Sequence, residues 1–373
     1  MRFLIVTHVL HKLSAQQQYA YAPYVREMNL WLKHVDEVEI VAPVIDASVS
    51  NIDIAYTHNK LTLTKIPAIA FINVSSVIKS ILALPYIIFN LWQACKRADH
   101  IHLRCPGNIG LLGCMLQIFF PKKIKTAKYA GNWDPKANQP LSYRIQKRIL
   151  SNTFWTKNMT VLVYGAWDNQ TKNIKPFFTA TYKDNERCKI ETKNYSKTLR
   201  FVFVGSLVSG KRPLLAIQII EALKHKGYSV TLDLYGDGVL KQELQAYIDT
   251  NQLQNIIVLH GNQSSTIVKQ QLKAAHFTLL ASQSEGWPKA IAEAMFFGVI
   301  PIATAISCVP NMLDNGNRGI LITPNVNEAV AKIEAALSHT KTLEQMSRDA
   351  LAWSQYYTLD LFEDEIKTLI QNK

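Results

Sequence analysis

In the second half of the chain, short apolar runs rich in β-branched residues alternate with longer segments whose apolar positions recur every three or four residues. "RFVFVG" (200 to 205), "SVTLDLYG" (229 to 236), "NIIVLHG" (255 to 261), "HFTLLAS" (276 to 282), "VIPIAT" (299 to 304) and "GILI" (319 to 322) read as strands. Helices are predicted between them: one opened by Pro213 and closed by Gly227, one from about Val239, one near "STIVKQQLKAA", and one opened by Pro288 that stops at Gly298. This βαβα order with short links predicts a parallel sheet covered on both faces, with ligands at the carboxyl ends of its strands. The first half is similar but less regular, with strand candidates "FLIVTH" (3 to 8), "EVEIVAP" (37 to 43), "HIHLRCP" (100 to 106), "IKTAKYAG" (124 to 131) and "MTVLVYG" (159 to 165). Between the halves, "YKDNERCKIETKNYSKTLR" (182 to 200) is charged, lacks apolar periodicity and reads as a linker. The pattern therefore predicts an α/β protein of two Rossmann-like domains facing a cleft, residues 1–185 and 198–350. An amphipathic C-terminal helix within 351–373 is expected to pack back on the first domain.

With 48% hydrophobic residues, a chain of 373 can fill two cores. The five cysteines are odd in number, scattered and without a CxxC pair, which points to a reducing compartment and away from a disulfide framework or zinc site. His8 with His11 and His100 with His102 lack further ligands nearby, so no metal is expected. "MRFLIVTHVL" is too short for a signal-peptide core and reads as a first buried strand. Residues 66 to 95 carry only Lys79 as a charge, but Pro67, Asn73, Pro85 and Asn90 interrupt them. Helices of a soluble domain, some able to lie on a membrane, are expected there rather than a span.

Charge separates the halves: residues 1 to 197 hold 26 Lys and Arg against 12 Asp and Glu (+14), and residues 198 to 373 hold 15 against 16 (−1). Clusters such as "PKKIKTAK" (121 to 128) and "YRIQKR" (143 to 148) fit an anionic membrane surface. A solvated basic face is the alternative, and no nucleic-acid motif accompanies the charge. The expected place is the cytoplasm, peripheral on the inner face of the cytoplasmic membrane.

The helix after "SEGWP" raises a chemical question, because Lys289 stands in its first turn, where the dipole favours acidic residues. One answer is a solvated lysine; the other is an anion beside it. The same arrangement recurs at Lys211 and Arg212 ahead of the helix at Pro213. Two helix starts with cations suit a diphosphate, while Glu285 and Glu293 suit the hydroxyl donors of sugars. A nucleotide sugar uses all of these groups.

"EGWPKAIAEAMFFGVIPIAT" closely resembles the E-x7-E segment of retaining GT-B glycosyltransferases of family 4. In the family's order follow or precede it "FVGSLVSGKRP", "LYGDG" (234 to 238), "VLHGNQ" (258 to 263) and "SCVPNMLDNGNRGILI" (307 to 322). The resemblance implies that Glu285 contacts the transferred sugar, with Lys211 and Arg212 neutralising the leaving phosphates. It implies that the backbone at Gly286, Trp287, Pro288 and Lys289 holds the diphosphate, that Glu293 binds the ribose, and that Gly205, Ser206, Gly236, His260 and Gly261 line the donor site. His260 reads equally as a plain strand-end residue, and Trp287 equally as a core aromatic. Ser206 stands where the family often has arginine, which leaves Arg212 to supply that charge. "HVLHKLSAQQQYAYAPYVREM" has no glycine where a glycine pair is common, and "KYAGNWDP" replaces a frequent histidine. Arg26, Arg104, Asn132, Trp133 and Asp134 are the acceptor-side candidates, the two arginines reading equally as structural ion-pair partners. The implied activity is sugar transfer from a UDP- or GDP-linked donor to a saccharide, lipid-linked or free, with no cofactor or metal. A nucleotide-sugar epimerase of the same fold and a non-catalytic assembly partner remain the other readings.

Overall fold

The protein is described by a computed structural model covering residues 1–50, 52–70, 73–189 and 193–371. It divides into two compact units: Met1–Phe177 with Glu363–Lys373, and Phe178–Phe362.

The first unit contains β1 (Arg2–Val6), β2 (His11–Ser14), β3 (Gln17–Tyr21), β4 (Glu37–Pro43), β5 (Asp53–Ala55), β6 (Leu61–Ile66), β7 (His100–Cys105), β8 (Ile124–Tyr129), β9 (Met159–Tyr164) and β10 (Ile174–Phe177). Seven of these form a sheet in the order β10-β9-β8-β7-β1-β4-β6, every pair parallel. Both faces of such a sheet are covered, which is why β1, β4 and β9 are nearly continuous apolar runs. The small antiparallel sheet β2-β3-β5 has no counterpart in the predicted strands. Its hairpin turns at Ala15 and Gln16, both left-handed (φ 46° and 62°), so the turn geometry that normally selects Asn-Gly is made here without either residue. Residues 66 to 95 differ from expectation as well: Val74–Arg97 is one 24-residue helix running through Pro85. Pro85 is tolerated because it lies on the exposed side, where the carbonyl it deprives of a donor belongs to Ile81, itself 56% exposed.

The second unit contains β11 (Leu199–Val204), β12 (Val230–Tyr235), β13 (Ile257–Gly261), β14 (Phe277–Leu280), β15 (Ile300–Thr304) and β16 (Ile320–Ile322), all parallel, in the order β13-β12-β11-β14-β15-β16. Strand order reverses between β11 and β14, the switch point at which open α/β sheets bind ligands. Phe201, Phe203, Ile217, Ile220, Phe277 and Ile302 build its core, each shielded completely. Of the polar segment 182 to 200, residues 190–192 lie outside the described residues. Before them, Tyr182 packs on Phe296 and Phe297, and Glu186 pairs with Lys269 (2.6 Å). In the closing helix Leu359–Gln371, Phe362 packs edge-on against Phe178, whereas Glu363 pairs with Lys33 (2.8 Å) and His34 (3.1 Å) and Glu365 with Lys175.

Buried histidines make the fold acid-sensitive. His11 is held between the Val9 carbonyl and the Tyr56 hydroxyl, His100 beside the Thr126 hydroxyl, and His276 accepts from the Arg200 amide. Burial pushes each of the three down to about 4. The unfolded chain takes up these protons near pH 6.5 and the native one does not, so their stabilisation is complete above pH 6.5 and declines as pH falls towards 4. Each is expected to cost about 1.4 kcal/mol per pH unit in that window. Denaturant melts at pH 7, 6 and 5 should show the decline, and a flat profile would contradict it.

Candidate functional site

The site in the second unit is built from the loops that leave β11, β12 and β14. After β11 the chain runs through Gly205 and Ser206 to a single turn at Ser209–Lys211. Arg212 then adopts a left-handed backbone (φ 48°) and Pro213 starts the helix to His225. Backbone bonds lace these loops together: Gly205 donates to Tyr235 (2.9 Å), Leu207 to Asp237 (3.0 Å), and Gly236 to Gly261 (2.9 Å). At Gly236 the backbone needs φ +142°, and a Cβ there would stand 2.0 Å from the Gly205 carbonyl oxygen, so only glycine fits.

Across the switch point, three links join the β11 loop to the β14 loop. The Gln283 amide donates to the Gly210 carbonyl (2.8 Å), the Arg212 guanidinium donates to the carbonyls of Ala281 (3.2 Å) and Ser282 (3.5 Å), and Lys211 Nζ pairs with Glu285 Oε1. The Glu285 side chain is 8% exposed and that of Lys211 29%, so the carboxylate is fixed while the ammonium retains access to solvent. Behind them the backbone from Ser282 to Gly286 is held by donors absent from the predicted site: Thr304 Oγ1 to the Ser282 carbonyl (2.6 Å), Ser307 Oγ to that of Glu285, and Cys308 Sγ to that of Gly286 (3.0 Å). Burial pushes the Cys308 thiol up to about 12, which keeps the proton it donates.

The expected helix at Pro288 begins one residue later: Pro288 caps the helix Lys289–Met295. Glu293 sits one turn after Lys289 and accepts from Thr181 Oγ1 (2.7 Å). Burial raises its carboxyl, against the Thr181 bond and the Lys289 charge. Trp287 stacks on Trp353 (6.0 Å) and meets Tyr357 edge-on. His260 Nε2 donates to Asp233 Oδ1 (2.6 Å) on the neighbouring strand, and its ring lies flat on Tyr235 at 4.6 Å. Asp233 was missed by the sequence pattern, although a carboxylate within an otherwise apolar strand is itself a signal.

The structure thus brings Gly205, Ser206, Lys211, Arg212, Gly236, His260, Gly261, Glu285 and Gly286 to one edge of the second sheet, with Trp287, Pro288, Lys289 and Glu293 continuing from it. The acceptor-side candidates belong to the first unit. Arg104 is an ion-pair partner there: with Lys128 it flanks Glu27 Oε1 (3.0 and 3.1 Å), all three side chains being 14% exposed or less. Trp133 is 2% exposed, edge-on to Tyr129 and hydrogen-bonded through Nε1 to Gln170 (2.9 Å), which places it in the core. Asn132 accepts from the Asp134 amide in a tight turn, and Arg26 is exposed on its helix. Trp133→Ala is expected to cost about 3–5 kcal/mol of stability, read by denaturant titration. Among the described residues no three His, Cys, Asp or Glu side chains converge as metal ligands do.

Several solved structures share this architecture over the whole chain. A protein described as Anabaena Alr3699/HepE in complex with UDP and glucose aligns over 100% of both chains at a TM-score of 0.67 and 14% identity. WaaG, described as a glycosyltransferase involved in lipopolysaccharide biosynthesis, aligns over 100% of both chains at 0.63 and 12%. At such identities the likeness defines the class of fold, and the fold is GT-B. Residues 184–353 match the family model "Glycosyl transferases group 1". Curated relatives include the putative colanic acid biosynthesis glycosyltransferase WcaL of Escherichia coli K12, 30% identical over 152 residues (39% of this chain, 37% of that protein). The amylovoran biosynthesis glycosyltransferase AmsK of Erwinia amylovora is 28% identical over 146 residues (38% and 36%). The match spans little more than a third of the length of either relative.

Proposed function

We propose that the protein is a retaining, metal-independent glycosyltransferase. It moves a sugar from a UDP- or GDP-linked donor to a lipid-linked saccharide during polysaccharide or glycolipid assembly, at the inner face of the cytoplasmic membrane. The observation that carries this is the Lys211–Glu285 pair spanning the switch point: a buried carboxylate for sugar hydroxyls beside a part-exposed ammonium for a phosphate. As the bond from the anomeric carbon to the diphosphate breaks, negative charge grows on the leaving oxygens and the sugar becomes oxocarbenium-like. A prepositioned Lys211 stabilises that charge without reorganisation. The acceptor oxygen adds from the face the diphosphate leaves, and its proton passes to the departing phosphate, so no enzymatic nucleophile is required. Glu293, its carboxyl raised by burial and already accepting one hydroxyl, suits a ribose. Polysaccharide assembly is favoured by the names of the relatives, and a uridine donor by the ligand of the Anabaena protein.

Thermal unfolding with UDP, GDP and their sugars tests the reading. A bound ligand at 100 times its dissociation constant stabilises the native state by about 2.7 kcal/mol. A shift with one nucleotide, lost in Lys211→Ala, is expected and names the base. No shift with any of them would favour a non-catalytic assembly partner.

A further inference from the structure

The helix Val74–Arg97 leaves one long face uncovered. Ser80, Ile87, Leu91, Ala94 and Cys95 are buried, the apolar members among them packing into the core of the first unit. On the opposite side Val74, Ile78, Ile81, Leu82, Tyr86 and Phe89 are between 53% and 76% exposed. Their spacing of three and four residues puts them in one stripe, along a helix about 36 Å long. Monomeric proteins rarely leave such a contiguous apolar strip in water. The strip continues beyond the helix: Trp92 packs on Phe119 (5.7 Å) and Phe120 (5.0 Å), and Phe119 is 66% exposed. Gln117, in the same turn as Phe119, donates to the Trp155 carbonyl (3.1 Å), next to Phe154, which is 74% exposed.

Charge decides what covers the strip. Between Ile54 and Trp133 the chain has ten Lys and Arg and a single acidic residue, Asp99. Lys79 is exposed within the stripe, and the exposed Lys65 lies beside Tyr86, whose hydroxyl reaches the Lys65 carbonyl (3.5 Å). At the far end Lys157 lies over the Phe154 ring (5.2 Å), and Asn158 bonds the Pro121 carbonyl next to the exposed Lys122. None of the ion pairs among the described residues uses Lys65, Lys79, Lys122 or Lys157. A second copy of this chain docked about a two-fold axis would set these cations against their own equivalents with no carboxylate to neutralise them. An anionic bilayer supplies both an apolar layer for the side chains and phosphates for the lysines.

We infer that the exposed face of Val74–Arg97, with Phe119 and Phe154, is the surface by which the protein lies on an anionic membrane, the helix parallel to the bilayer plane and held by Lys65, Lys79, Lys122 and Lys157. This rests on the membrane part of the proposed function and gives that part its contact surface. Co-sedimentation with phosphatidylcholine vesicles, with and without phosphatidylglycerol, is the test. It compares wild type with Ile78→Glu/Leu82→Glu/Phe89→Glu and with Lys65→Glu/Lys79→Glu, all confirmed as folded by thermal melts.

Wild type should bind only the anionic vesicles and release them in high salt. The apolar triple variant should lose binding by more than about ten-fold, and the double lysine variant by about five-fold or more per lysine. Wild-type binding that the triple variant retains would overturn this surface while leaving membrane association standing. No binding of wild type to either vesicle would remove the membrane claim itself. A concentration-dependent dimer in sedimentation velocity, abolished by the triple variant, would assign the face to a second copy instead.

Discussion

Lys211→Ala and Glu285→Ala should each reduce kcat by about 10²–10³-fold, the loss typical when one prepositioned charge or donor is removed from a developing transition state, and they should differ in what survives. The two neighbouring cations are held differently: the Arg212 guanidinium donates through Nη1 to the carbonyls of Ala281 and Ser282, whereas the Lys211 ammonium pairs with Glu285 and keeps access to solvent. Lys211→Ala should therefore lose most of the stabilisation that a nucleoside diphosphate gives in a melt, as well as turnover. Glu285→Ala should keep that stabilisation, because the proposed function gives the carboxylate to the sugar rather than the phosphate, and lose only the increment a sugar nucleotide adds over its diphosphate. Lys211→Arg restores the charge but not its shape and should recover binding more than rate. Steady-state kinetics with the donor found by melting separates these outcomes, and near-wild-type turnover in Lys211→Ala would sink the assignment.

The second large effect is on stability. Gly236→Ala would drive a methyl group to 2.0 Å from the Gly205 carbonyl oxygen, in a backbone conformation (φ +142°) that L side chains rarely adopt. Neither segment can retreat without breaking bonds, because the Gly205 amide is committed to Tyr235 and the Gly236 amide to Gly261. A loss of about 3 kcal/mol or more is expected, from strain and broken bonds together. Gly227→Ala is the control: φ is +91° there, but nothing lies within 4 Å of the added atom, so only the strain of about 1–2 kcal/mol should appear. Urea melts of the two variants, compared at equal m-value, measure the difference. Equal losses would mean that the β11 and β12 loops yield more easily than their hydrogen bonds imply.

The strands of the second sheet were legible because the central ones are covered on both faces and read as largely apolar runs ending in glycine or a polar loop, as "RFVFVG" and "VIPIAT" do. The first sheet was legible in part. Leu61–Ile66 alternates with threonine and lysine and buries only Ile66 completely, which is the weak pattern of an edge strand. The hairpin at Ala15 and Gln16 carries no turn residue at all, its shape being imposed by pairing with Asp53–Ala55. In the site, Lys211 and Lys289 stood out because a cation at a helix start is unusual, and Glu285 and Glu293 because they carry the E-x7-E spacing. Thr181, Ser307 and Cys308 did not, because a hydroxyl or thiol that holds a distant carboxylate or carbonyl leaves no periodic mark.

The closing helix gives the order of synthesis a structural meaning. The ribosome delivers all of Phe178–Phe362 between the two parts of the first unit. Until Glu363 and Glu365 emerge, Lys33, His34 and Lys175 wait without their carboxylates. The second unit is continuous in sequence and can close as it is made, whereas the first, although begun earlier, is the later one to be completed.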